Sequence, residues 1–181
     1  GVTVDFAPVI DVSDQDADTV IGDRSFSNDP VVVTKYGRAF ASGLRDAGIL
    51  PVLKHFPGHG HGSGDSHTGT VRTPPLSELM TSDLVPWRTL ARMPGVAAMV
   101  GHLIVPGLTG DELPASVNPA AISMLRTGRG YNGPAFHGVI FSDDLSGMAA
   151  ITGQCSASRS SSRLRIRSNT SFRASAASTF A

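Results

Sequence analysis

The sequence predicts an α/β fold of parallel strand–helix units, and three observations carry that prediction. Four apolar segments rich in β-branched residues lie at 2–12, 50–56, 96–105 and 138–142. Helical patterns separate them, so strands recur at roughly 40-residue spacing, the rhythm of βα units around a parallel sheet. The chemically rich residues fall just after each strand: Asp11, then His55 onward, His102 and Asp143. Functional groups gathered at strand C-terminal ends fit a (β/α)8 barrel, and a doubly wound open sheet would fit as well. Four units are fewer than a closed barrel, which typically needs about 250 residues; the chain has 181.

Each element has a local reason. Val2 to Val12 is apolar and β-branched, carries Pro8, and ends in the acids Asp11 and Asp14. It reads as a buried strand followed by a polar, turn-rich loop to Asp29. Pro30 sits where a helix can start without needing its N–H, and Gly48 supplies a stop near Asp46. Leu50 to Phe56 is the second strand. Pro57 to Pro75 holds glycines at 58, 60, 62, 64 and 69, and a loop that long in a compact domain is functional or disordered. Ser77, Glu78 and Ser82 offer polar starts for a helix reaching about Met93. Val96 to Val105 is the third strand. Asn118 with Pro119 opens a helix to about Arg126. Gly138 to Ser142 is the fourth strand, and a further helix is expected near Leu145.

Composition narrows the function classes. Hydrophobic residues at 40% and charged residues at 17% describe a globular chain able to bury a core. The zero formal net charge hides an asymmetry. From Cys155 to Ala181 there are five arginines, nine serines and no acid, so residues 1–154 carry a formal charge of −5. Such a body is not built for nucleic acid. The chain thus divides into a partial catalytic domain at 1–154 and a basic Ser/Arg-rich tail at 155–181. The tail reads as disordered, as translation of another frame, or as an arm for anionic surfaces. A single cysteine excludes an internal disulfide framework. No run of about 18 apolar residues and no signal peptide is legible.

The densest chemistry lies between Lys54 and His67, where four histidines, a lysine and an aspartate share fourteen residues. Within it, Asp65 and His67 form an Asp-x-His pair. A carboxylate that accepts from one imidazole nitrogen fixes the tautomer and raises the basicity of the other. His67 is therefore a candidate proton donor and acceptor, or an incidental loop histidine. His59 and His61 resemble a metal pair, but no second ligand cluster of clear spacing accompanies them, and no metal or other cofactor is expected. At the fourth strand, Val139-Ile140-Phe141 runs straight into Ser142-Asp143-Asp144. An acid at a strand end can attack an anomeric carbon or cap the next helix. Arg24, in the loop after the first strand, could grip a sugar hydroxyl or be a surface arginine. His102, ending the third strand, could line the same pocket or be a satisfied core histidine.

Together, Asp5-Phe6-Ala7-Pro8-Val9-Ile10-Asp11-Val12, Ile21-Gly22-Asp23-Arg24-Ser25-Phe26, Lys54 to Gly60 with Asp65-Ser66-His67, and Phe141-Ser142-Asp143-Asp144-Leu145 resemble the family 3 glycoside hydrolases. The Lys-His-Phe-Pro-Gly-His-Gly…Asp-Ser-His combination is specific to their bacterial β-N-acetylhexosaminidase branch. The resemblance covers about residues 1–153 and implies a partial (β/α)8 barrel with a non-homologous tail. It implies a retaining mechanism with Asp143 as nucleophile and His67, polarised by Asp65, as acid/base. This departs from the usual carboxyl pair. It places Arg24, Lys54, His55 and His102 around the N-acetylglucosamine. It implies no cofactor, and a small carbohydrate partner: an N-acetylglucosaminide from cell-wall turnover. Relatives are cytoplasmic or exported lipoproteins. They have further strands before Gly1 and at least one more unit past Ile151, so a truncated remnant that binds sugar without turnover is the alternative.

Overall fold

The computed structural model describes residues 1–14, 16, 21–63, 71–110 and 113–145. Its main sheet has four parallel strands: β1 (Val4–Asp5), β2 (Leu50–Phe56), β4 (Ala97–Val100) and β6 (Ile140–Ser142), in the order β1-β2-β4-β6. A second parallel pair joins β3 (Val71–Arg72) to β5 (Leu103–Ile104). The helices are α1 (Pro30–Asp46), α2 (Leu76–Leu79), α3 (Leu84–Leu90) and α4 (Pro119–Thr127).

Two features separate a half-barrel from a doubly wound sheet. The four main strands follow chain order, with no reversal at a switch point. The sheet faces also differ. On one, Leu53, Phe56, Ala98 and Val100 join a large core with Val33, Trp87 and Leu125 from the helices. On the other, Val52, Ala97 and Met99 pack with Val4, Leu50 and Phe141, all from strands. Alternation along each strand sends neighbours to opposite faces. One face thus meets helices and the other is the barrel lining, as in part of a (β/α)8 barrel.

The helices form where their ends can be satisfied. Asp29 Oδ1 accepts from the Val31 N–H at 2.8 Å, Pro30 fills the first turn, and Gly48 takes φ +75° beyond the last turn. Val33, Gly37 and Ala41 form the buried stripe of α1. A Cβ on Gly37 would stand 2.9 Å from Ile10 Cγ2, so this glycine lets α1 lie close against the first strand segment. Asn118 Oδ1 accepts from the Ala120 N–H at 2.8 Å to open α4, and Gly128 at φ +72° closes it. Trp87 anchors α3 edge-on against Phe56, with ring centroids 5.1 Å apart; removing such a side chain typically costs about 3–5 kcal/mol.

Three elements differ from the sequence expectation. The first strand is broken at Pro8, which lacks an N–H. The chain still follows β2, because the Val52 N–H donates to Ala7 O and the Ile10 N–H to Lys54 O. The expected helix to Met93 is two helices, because residues 80–83 turn between α2 and α3. The third strand divides at Gly101-His102, where the Gly101 N–H donates to Phe56 O and the chain leaves the main sheet to pair with β3. The expected helix near Leu145 and the tail at 155–181 lie outside the described residues. Among the described residues no helix is long and apolar enough to cross a membrane.

Candidate active site

Because the main strands are parallel, their C-terminal ends share one edge, and several residues singled out by sequence lie there. Asp11 follows β1, Lys54 and His55 end β2, His102 follows β4, and Asp143 follows β6. The Lys54–His55 peptide bond is cis, and the pairing with β4 shifts register between Lys54 and Phe56.

Asp11 is the hub of this edge. Its side chain is fully buried. Oδ1 accepts the backbone N–H groups of His55 at 3.2 Å and His59 at 2.8 Å, and Oδ2 lies 2.7 Å from His55 Nδ1. Burial pushes this carboxyl up. The charge and hydrogen bond of His55, then those of His59, outweigh it and hold Asp11 below the ordinary carboxylate value. An ionised carboxylate only accepts, so the proton of a neutral His55 sits on Nδ1. That leaves Nε2 of the same ring pointing to Asp143, 3.9 Å from its Oδ2.

Asp143 is set by the sheet and by its neighbours. Its N–H donates to Val100 O at 3.0 Å, continuing the β4–β6 pairing beyond the strand. Its Oδ1 accepts the Asp144 N–H at 3.0 Å. The side chain is 17% exposed, enough to meet a ligand. His102 is fully buried, with Nε2 2.8 Å from Asp144 O and Nδ1 2.5 Å from Ser116 Oγ. A carbonyl takes only a donor, so Nε2 carries the proton and Nδ1 accepts from the Ser116 hydroxyl.

Lys54 is partly buried, while Arg24 is exposed in the 3-10 turn Gly22–Arg24. Burial and then the Arg24 charge lower the Lys54 ammonium from its ordinary value, against the opposing pull of Asp143, Asp11 and Asp5. Two cations and the Asp143 carboxylate therefore share one local field, suited to gripping the hydroxyls of a polar ligand.

Asp65 and His67 lie outside the described residues. On either side of their segment, the Ser63 N–H donates to Arg72 O at 2.8 Å and the Arg72 N–H to Ser63 Oγ at 3.0 Å. His59 and His61 have separate surroundings. His59 is buried and linked through its N–H to Asp11, whereas His61 Nδ1 lies 2.9 Å from Asp83 Oδ2. Among the described residues no three His, Cys, Asp or Glu side chains converge to hold a metal. Sequence reasoning put Asp11 at the strand-end edge without giving it a role, and did not place Ser116 or Asp83 in the site. Asp11 carried the same signal as Asp143, an acid ending an apolar strand; Ser116 and Asp83 carried none.

A family model, the glycosyl hydrolase family 3 N-terminal domain, matches residues 1–166. The chain belongs to glycosyl hydrolase family 3. Among family 3 relatives, beta-hexosaminidase LpqI of Mycobacterium tuberculosis is 66% identical over 152 residues, covering 84% of this chain and 39% of that protein. The solved structure of M. tuberculosis LpqI superposes with a TM-score of 0.83 at 65% identity, covering 84% of this chain and 44% of that one. NagZ from Neisseria gonorrhoeae, solved in complex with N-trifluoroacetyl-D-glucosamine, is 36% identical with a TM-score of 0.68, over 87% of this chain and 44% of that one. The chain thus spans about two fifths of the length of the curated family 3 relatives it matches.

Proposed function

We propose that this chain carries the nucleophile edge of a retaining β-N-acetylglucosaminidase, acting on N-acetylglucosaminides derived from cell-wall turnover. The observation that carries the reading is the line Asp11–His55–Asp143. A buried carboxylate orients an imidazole whose far nitrogen faces a second, accessible carboxylate at a strand end. Membership of family 3 and relatives named beta-hexosaminidase support it. So does the N-acylated glucosamine bound by one of them.

In this reading an Asp143 oxygen attacks the anomeric carbon as the glycosidic C–O bond breaks. His67, polarised by Asp65, gives its proton to the departing oxygen. Neutral His67 then takes a proton from water, the water oxygen bonds to the anomeric carbon, and the Asp143 carboxylate is released. Arg24, Lys54 and His55 hold the sugar. His102, buried beneath Asp144, positions the turn that carries the nucleophile and does not touch the sugar.

The test is hydrolysis of a chromogenic β-N-acetylglucosaminide by the purified chain, beside Asp143→Ala and a β-glucoside control. Turnover that prefers the acetamido sugar and vanishes in Asp143→Ala is the expected result. Saturable binding of N-acetylglucosamine without turnover would replace the reading with that of a sugar-binding remnant.

A further inference from the structure

The loop that leaves β2 is fastened at several points before it reaches Asp65. His59 N–H is held by Asp11, and Gly60 O accepts from Ser13 Oγ at 3.0 Å. Gly60 lies close against the first strand segment: a Cβ there would lie 1.8 Å from Val12 O. The next residue, His61, reaches across to Asp83, twenty-two positions away. Two residues further on, Ser63 and Arg72 are bonded to each other.

Asp83 is placed unusually for an aspartate beside a helix start. It immediately precedes α3, yet its side chain makes no capping bond to that helix. Its carboxylate is 1% exposed and turns toward the loop instead. Oδ2 accepts from Ser82 Oγ and faces His61 Nδ1, both at 2.9 Å. The loop backbone is shaped around it: Gly58, at φ +146°, would put a Cβ 2.3 Å from Asp83 Cβ. Behind Asp83, α3 is seated in the core by Leu84, Trp87 and Leu90. A buried carboxylate at the start of a core-seated helix therefore serves its neighbour Ser82 and one loop histidine. The hydrogen bond to Asp83 also raises His61 above the ordinary histidine value, so the pair gains as an ion pair.

The geometry points to Asp83 as a positioning residue for the reaction: through His61 it fixes the Ser63–Arg72 clasp, which in sequence bounds the segment carrying Asp65 and His67, the acid/base pair of the reading above. This rests on the glycosidase reading above for its effect on chemistry, and on the clasp alone for its effect on structure.

Two measurements on the full chain test it. The first is amide exchange at Ser63 and Arg72 in wild type, Asp83→Asn, His61→Ala and His61→Asn. Losing the anchor should lower protection there by about tenfold, while amides of Val52 and Ala98 in the sheet keep theirs. Asn at 61 presents an N–H near the place of Nδ1 and should restore protection. His61 is partly exposed, so His61→Ala carries the test if Asp83→Asn does not fold. The second is kcat/KM on two β-N-acetylglucosaminides, one with a poor leaving group that needs a proton and one with a dinitrophenyl group that does not. A misplaced acid costs about tenfold or more on the first and little on the second. Equal losses on both substrates, or unchanged exchange at Ser63 and Arg72, would overturn the proposal. If wild type hydrolyses neither substrate, the glycosidase reading fails, and the exchange result alone decides whether Asp83 anchors the loop.

Discussion

Asp11 Oδ2 and His55 Nδ1 lie 2.7 Å apart across 44 positions of sequence, and the other nitrogen of that ring faces Asp143. One buried carboxylate therefore sets the tautomer and direction of the imidazole beside the proposed nucleophile. Asp11→Asn keeps the shape but removes a charge and puts an amide donor among three donors. It should cost about 3 kcal/mol of stability, as losing one partner of a buried pair does, and should lower kcat more than it raises KM. Urea unfolding with steady-state kinetics checks both; a loss under about 1 kcal/mol would mean the pair is dispensable.

His102 spends both ring nitrogens inside the protein. His102→Ala strands Asp144 O and the Ser116 hydroxyl, for an expected loss of about 2 kcal/mol. Because the side chain is fully buried, affinity for N-acetylglucosamine should be nearly unchanged while turnover drops. Calorimetric titration beside kinetics separates the two, and a large loss of affinity would show that His102 meets the sugar.

Stability should fall on both sides of neutrality for different reasons. Burial lowers His59 from its ordinary value. Its contribution is therefore present above the unfolded value of about 6.5 and is lost as pH falls from there toward the lower folded value. His61 is raised, first by its bond to Asp83. Its contribution is full below about 6.5 and disappears as pH rises through the higher folded value. Urea midpoints across this range should show the alkaline limb flattened in His61→Ala and the acid limb kept.

Two glycine substitutions should act in opposite directions. Gly60→Ala drives a Cβ into Val12 O and should cost about 2 kcal/mol or more, with loss of the Ser13–Gly60 bond. Gly43, exposed within α1, has open space at its Cβ position. Gly43→Ala should add about 0.5–1 kcal/mol by removing backbone freedom from the unfolded chain. Thermal midpoints of the two variants moving the same way would contradict this.

The sequence by itself determined what depends on near neighbours. Pro30 and Gly48 bound α1, and Asn118 with Pro119 opens α4, because helix ends are satisfied within a turn. The apolar runs ending at His55 and Asp143 put those residues at strand ends, because alternation and hydrophobic run length are local. Only the tertiary structure decided which ends meet. Chain-order pairing of β1, β2, β4 and β6 brings Asp11 under His55 and Asp143 beside it. The division of the third strand at Gly101 buries His102 against Asp144, where the sequence left it open between a pocket lining and a satisfied core histidine. The same limit hid Asp83, whose partner His61 lies across a loop. Strand register and the packing of α3 set these contacts, and both arise from burial summed over the whole core.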